Sequence, residues 1–290
     1  MKRWTTRTLT PGARVLNRTI LDRHYRRLST SLRPLPIPAF TGPLLLVFPH
    51  VDDEVIAVGG LLGAWREQGI EVDLVYTTDS SAGGVGATPE VRGATRLAEA
   101  VEVQRQTGIR SLTVLSGVND QLAAMSDRVT SELAQIVADG RYEAVFAVGP
   151  VDAHPEHRLS ATLIASALQR AGFEGPVFVG ENSSLLPAGL VTHAFGLTHA
   201  ALRARDQLFT IFASQTTMGF EVYHDLARSK RHLVPGSHAA ELFHQTDARA
   251  LEALSRRVSL GLFEEVLRHR IGNSWSLWRV LASLASRAGR

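Results

Sequence analysis

From about residue 43 to residue 180 the apolar positions fall into two alternating rhythms. Short apolar runs of strand length stand at Leu44–Phe48, Glu71–Thr77, Ser111–Leu115, Ala144–Val148 and Pro176–Val179. Between them, Val55–Gln68, Arg92–Gln106, Asp127–Asp139 and Glu156–Ala171 repeat apolar residues at helical spacing, the first two stopping at Gly69 and Gly108. Strands alternating with helices predict an α/β fold of Rossmann-like type. Its sheet is mostly parallel, with right-handed crossovers and helices on both faces. Beyond residue 185 the pattern loses regularity and predicts no topology. Ahead of the alternation, residues 1–40 form an extension, helical around Val15–Leu28. It closes with Pro34-Leu35-Pro36-Ile37-Pro38, whose spaced prolines favour an extended linker. The expected organisation is this extension, a main domain over 41–255, and a basic, amphipathic helical segment over 256–290.

Open parallel sheets hold ligands at the carboxyl ends of their strands. The loops Pro49–Glu54, Thr78–Gly86, Ser116–Gln121 and Gly149–His157 should therefore share one rim, and all are rich in Gly, Asp, His or Asn. Two motifs stand out there: His50-Val51-Asp52-Asp53-Glu54 after the first strand, and Asp152-Ala153-His154-Pro155-Glu156-His157 after the fourth. A lone His-x-x-His is often chance. Together the motifs supply the imidazoles and carboxylates that zinc takes when sulfur is absent. The chain has no cysteine, which removes disulfides, thiolate nucleophiles and cysteine-based zinc sites at once. A catalytic zinc keeps about three protein ligands and an open position, with a carboxylate nearby to accept a proton from water. Spacing alone does not say which residue takes which role. Acids are also common at helix N-termini, and Glu54 is expected to serve there.

The first motif, together with the helix and strand after it, resembles the PIG-L/LmbE family of N-acetylglucosaminyl deacetylases and related amide hydrolases. That family opens with a strand, then His-Pro-Asp-Asp-Glu, then a helix beginning near a Gly-Gly pair, here Gly59-Gly60. Its second signature, His-Pro-Asp-His, appears as His154-Pro155-Glu156-His157. Arg96-Leu97-Ala98-Glu99-Ala100 and Thr107-Gly108-Ile109 match between them, with looser echoes at Ala213-Ser214-Gln215 and Ala240-Glu241-Leu242-Phe243. The resemblance implies His50, Asp53 and His157 as ligands of zinc, with ferrous iron also suited. It implies Asp52 as the general base that activates water, and His154, with Glu156 beside it, as the acid or oxyanion stabiliser. Arg96 and Asp120 fall at its substrate-contacting positions. The implied reaction is removal of an N-acetyl group from an N-acetylglucosamine-type sugar or glycoconjugate. Val51 replaces the family's proline and Glu156 its aspartate. Asp79-Ser80-Ser81-Ala82-Gly83-Gly84 stands where many members read Asp-Gly-Glu-x-Gly, so the catalytic set is kept while the substrate pocket is altered.

Other readings compete with this one. Amide hydrolysis of a non-sugar or thiol-conjugate substrate would keep the metal and change the bond. A non-catalytic α/β binding domain would need the His/Asp set to be coincidental. Gly83-Gly84-Val85-Gly86 fits neither the dinucleotide nor the P-loop spacing, and reads as an active-site loop. A metalloprotease is disfavoured, since neither His-Glu-x-x-His nor its inversion occurs. His24, His193, His199, His224, His232, His238, His244 and His269 have no supporting context.

A net charge of +3 hides an uneven distribution. Residues 1–33 carry nine Lys/Arg against Asp22, and residues 256–290 carry seven Arg against two Glu, so the middle is acidic. Basic ends can meet anionic lipid, nucleic acid or the acidic body itself; no nucleic-acid partner is expected. Trp275 and Trp278 beside Leu277, Val280, Leu281 and Leu284 suit either a membrane interface or packing onto the domain. No apolar run has the length of a membrane span, and no apolar stretch follows the basic start as in a secretory leader. A cytoplasmic protein, peripheral to a membrane if its ends bind lipid, is the expectation.

Overall fold

The computed structural model describes residues 2–285, with side-chain surroundings from 12 to 281. Leu284 and the last five residues of the C-terminal segment therefore lie outside the described side chains. The expected strands and helices between 43 and 180 all form. They are β2 (Leu44–Phe48), α2 (Asp53–Gln68), β3 (Val72–Thr78), α3 (Pro89–Thr107), β4 (Ser111–Gly117), α4 (Ser126–Gly140), β5 (Ala144–Val148), α5 (Pro155–Arg170) and β6 (Val177–Gly180). Before them come α1 (Lys2–Leu28) and the two-residue β1 (Leu35–Pro36). The helix α1 starts earlier than its apolar spacing marks, because its first turns are rich in Thr and Arg and carry no apolar stripe. The proline-spaced linker is extended as expected, and its Leu35–Pro36 pairs with β7 (His193–Leu197) at a sheet edge, where a missing N–H is tolerated.

The eight strands form one sheet in the order β1-β7-β8-β6-β5-β2-β3-β4, where β8 is Ala239–Thr246. Pairs from β4 through β6 are parallel, whereas β8 runs antiparallel to both β6 and β7. From β2 the chain builds outward through β3 and β4, then returns to lay β5 on the other side of β2. That reversal is a topological switch point, where adjacent loops diverge and leave a crevice. In-register pairing of Leu44–Val47 with Ala144–Ala147 brings the loops that leave β2 and β5 to the same height. Both strands are buried along their whole length, as expected of central parallel strands covered on two faces.

The half beyond residue 185 supplies β7, α6 (His199–Leu208), α7 (Glu221–Ser229), β8, α8 (Ala248–Ser259), α9 (Glu264–Leu267) and α10 (Ser274–Ala285). Gly60 lets α2 approach this half closely. A Cβ there would come within 2.5 Å of Leu197 Cδ2, and its N–H donates to Glu241 Oε1 at 2.8 Å. The ends of the chain meet: α10 buries Leu277 and Leu281, and Asn17 Nδ2 of α1 donates to Ser274 O at 2.6 Å. Trp275 stacks on Trp278 and remains 42% exposed. Among the described residues no helix is long and apolar enough to cross a membrane.

At the centre, the Phe146 ring stacks on Phe178 at 4.8 Å and meets Trp65, Phe243 and Phe40 edge-on. Phe146→Ala should cost about 3–5 kcal/mol of unfolding free energy in a urea titration. Phe146→Leu should cost markedly less. A loss below about 1 kcal/mol for the alanine variant would show that the ring cluster does not anchor the core.

Candidate metal centre

The loop after β2 turns sharply, and Asp52 adopts φ 97°, a left-handed conformation that a residue with a side chain rarely holds. Ser80 after β3 and Asp120 after β4 do the same, at φ 55° and 67°. All three line one pocket at the carboxyl edge of the sheet. Neighbouring loops brace the turn: Thr78 donates through N and Oγ1 to Pro49 O, and Val51 N donates to Ser80 Oγ at 3.0 Å.

This turn and the start of α5 bring three donor atoms together. His50 Nδ1 lies 3.3 Å from His157 Nε2, and Asp53 Oδ2 lies 3.4 Å from each. Donors about 2.0–2.1 Å from a tetrahedral zinc stand roughly 3.3–3.4 Å apart, so the triangle has the edge length of a zinc site. His154 joins His50 and His157 in a wider cluster, with one nitrogen of each within 4.8 Å of the others. The tighter triangle is the better match, because His154 Nδ1 is taken by the N–H of Glu156 at 3.2 Å.

Each imidazole of the triangle has a carboxylate behind it, the arrangement that fixes ring orientation in metal sites. Glu156 Oε2 lies 2.7 Å from His50 Nε2, and Asp152 Oδ1 lies 3.2 Å from His157 Nδ1. Glu156 is itself held by Asn119 Nδ2 and by the backbone N–H of Asp120. Asp152 accepts the N–H groups of His154 and Ser183. Sequence reasoning gives Asp152 no role, and sets Glu156 beside His154 rather than behind His50. Burial opposes protonation of His50, but hydrogen bonds to Asp53 and Glu156 overcome it and raise its pKa to about 9. Burial likewise penalises the Asp53 charge, yet His157 and His50 hold it well below the usual carboxylate range. The triangle is a place that favours positive charge.

Next to it, burial raises Asp52 to about 6 against the pull of Arg96. Glu54 is fully buried and accepts the N–H of Asp52 at 3.1 Å. Burial, then repulsion from Asp52, lift its pKa to about 8, so its service at the helix start is that of a mostly protonated acid near neutrality. His154 stacks on His157 at 4.6 Å; burial, then repulsion from His157, Arg270 and His50, lower its pKa. With Nδ1 accepting, the neutral ring carries its proton on Nε2.

The pocket encloses about 250 Å³. His50, Asp52, Asp53, His154, Arg96 and Asp120 all reach its wall, whereas His157 sits behind it, fully buried. Arg96 is only 1% exposed and spends its donors on protein. It bonds Asp52 Oδ2 at 2.8 Å, Glu99 Oε2 at 2.6 Å, Ser214 Oγ at 3.3 Å and the carbonyl of Val51. It holds Asp52 and also lines the pocket. Asp120 is exposed at the mouth. Asn182, Gln215, Met218 and Arg270 also line the pocket. Sequence reasoning missed Arg270, which arrives from the irregular C-terminal part with no motif around it.

Residues 45–168 match the family model described as PIG-L: GlcNAc-PI de-N-acetylase. Among solved structures, the fold is similar to N,N'-diacetylchitobiose deacetylase from Pyrococcus horikoshii, at 20% identity over 71% of this chain and 84% of that one, TM-score 0.58. It is similar to the zinc-inhibited form of the teicoplanin deacetylase Orf2, at 15% identity over 70% and 97%, TM-score 0.55. It is also similar to GalB, the 4-carboxy-2-hydroxymuconate hydratase of Pseudomonas putida KT2440, at 18% identity over 71% and 96%, TM-score 0.59. At these identities the likeness concerns the fold, and a hydratase stands beside deacetylases.

The Arg96 bonds generate a stability prediction. Arg96→Met leaves the carboxylates of Asp52 and Glu99 buried without their cation, and should cost about 3–5 kcal/mol in urea unfolding. Arg270→Ala, at an exposed position, should stay within about 0.5 kcal/mol of the parent. An Arg96→Met protein as stable as the parent would return Arg96 to the substrate.

Proposed function

We propose that this chain, whose residues 45–168 match the PIG-L family model, is a metal-dependent N-deacetylase acting on an N-acetylated amino sugar or glycoconjugate. The observation that carries the reading is the triangle of His50 Nδ1, Asp53 Oδ2 and His157 Nε2, with edges of 3.3–3.4 Å, beside a polar pocket. These three residues would hold a divalent ion, zinc or ferrous iron, as both suit imidazole and carboxylate. When bound, such an ion supplies the Lewis acidity that activates water and polarises the amide carbonyl.

The remaining steps fall to the chain's own groups. Asp52, at a pKa of about 6, sits where a general base works near neutral pH, and takes a proton from the attacking water. Arg96 fixes the carboxylate through Oδ2. His154 presents its Nε2–H to the oxygen that gains charge as the carbonyl is attacked. The C–N bond breaks, the water oxygen leaves in acetate, and the proton held by Asp52 goes to the departing nitrogen. A cavity of about 250 Å³ walled by Asn119, Asp120, Asn182 and Gln215 suits one hydroxyl-rich sugar ring.

The purified protein should carry about one divalent ion per chain by elemental analysis. Asp53→Ala and His157→Ala should each lose it, whereas His154→Ala should keep it and lose rate. Retention by Asp53→Ala with loss by His154→Ala would move the site to the three-histidine cluster. Asp52→Asn should keep the ion while acetate release from N-acetylglucosamine and its glycosides falls by roughly two to four orders of magnitude. Full turnover after complete chelation would sink the metal-dependent reading. Turnover only on thiol-conjugate or other non-sugar amides would keep the chemistry and replace the substrate.

A further inference from the structure

A second concavity, of about 560 Å³, lies between α1 and the end of α7, and the proposed reaction makes no use of it. Arg18, Arg23 and Arg26 enter it from α1, and Arg228 and Arg231 from α7 and the turn after it. Among the described residues only two carboxylates line it, Asp22 and Asp225, which leaves a surplus of three positive charges. Both acids are already claimed. Asp225 is buried and accepts Arg14 Nε at 2.7 Å and Arg18 Nε at 2.8 Å. Asp22 meets Arg26, Arg231 and His232 at 3.2, 2.6 and 2.8 Å.

Two of the five guanidinium groups that line the cleft, those of Arg23 and Arg228, take no part in these pairs. Arg23 and Arg228 are exposed and have no acceptor among the described residues. Arg18 engages Asp225 through Nε, so both of its terminal nitrogens stay free for another acceptor. Converging cations raise the local potential and draw an anion into the concavity. Planar guanidinium forks match the oxygens of a phosphate, which can accept from several arginines at once. A nucleic-acid strand fits poorly: among the described residues no aromatic side chain lines the cleft to stack a base, and two carboxylates lie in the path of a run of phosphates.

We propose that this cleft is a phosphate-binding site, taking a phosphate group borne by a soluble molecule or by a lipid headgroup. The proposal is independent of the deacetylase reading. The full-length protein is titrated calorimetrically with inorganic phosphate and pyrophosphate. In parallel it is sedimented with phosphatidylcholine vesicles with and without phosphatidic acid. Saturable binding is expected in at least one arm, and Arg23→Glu combined with Arg228→Glu should weaken it about tenfold or more. Both residues are exposed, so the double variant should melt as the parent does without ligand. Pyrophosphate should then raise the parent's melting temperature more than the variant's. Binding in the soluble arm alone identifies a free phosphorylated ligand, and binding to acidic vesicles alone identifies a headgroup. Arg270→Ala reports on the polar pocket and should leave phosphate binding unchanged. Absence of binding in both arms overturns the proposal, as does parental affinity in the double variant. Loss of binding on Arg270→Ala overturns it too, because the phosphate would then sit in the pocket.

Discussion

Among the carboxylates that the chain buries at the carboxyl ends of β2 and β5 are those of Asp52, Asp53, Glu54 and Asp152. Each charge taken from water there costs several kcal/mol unless it is paired, hydrogen-bonded or neutralised. The four are settled in four different ways. Asp53 lies against two imidazoles and Asp52 against a guanidinium. Asp152 takes two backbone N–H groups, and Glu54 keeps its proton beside the Tyr76 hydroxyl. Each solution recruits further structure. Arg96 needs Glu99, and Glu99 in turn holds the backbone N–H and hydroxyl of Ser214. The need to compensate buried charge therefore draws α3 and the turn at 212–215 into the same rim.

The two motifs can meet only because β5 is laid beside β2. The alternation of apolar runs with helical stretches made both strands, and the loop after each, legible in the sequence. It could not reveal strand order, which depends on where the chain turns back rather than on any local composition. The late strands were illegible for a related reason. β8 carries the buried Glu241, which pairs with Arg205 of α6 at 3.0 Å and accepts the N–H of Gly60. A charged residue in the middle of a strand breaks the apolar run that marks the others. Its partners stand 36 and 181 residues away, beyond the reach of any local pattern.

Within the site, residues sharing a motif were easier to find than residues that act through them. His50, Asp53 and His157 stand in the two short segments that carry the family resemblance, and it is the resemblance that implies them as ligands. Arg96 also stands in a matched segment, but position along a chain does not reveal that its nitrogens bond Asp52, Glu99, Ser214 and the carbonyl of Val51. Glu156 makes the same point, since one turn of helix decides whether its carboxylate meets His154 or reaches across to His50.

Arg270 illustrates how the ends of the chain become part of the centre. The segment around it is held on three sides. Ile271 donates its N–H to Ser183 O at 2.8 Å and accepts from the Tyr223 hydroxyl at 3.1 Å, and Ser274 donates its hydroxyl to Glu221. Asn17 of α1 then bonds the carbonyl of Ser274. The N-terminal helix thus braces the segment that carries a cation to the pocket wall, while its own arginines line the cleft on its other flank. The uneven charge of the sequence follows from this arrangement. Arg14 and Arg18 of α1 pair with Asp225 of α7, and Arg231 of the body pairs with Asp22 of α1. Arginines from both α1 and the body outnumber these two acids, so a surplus of cations collects where α1 and α7 converge.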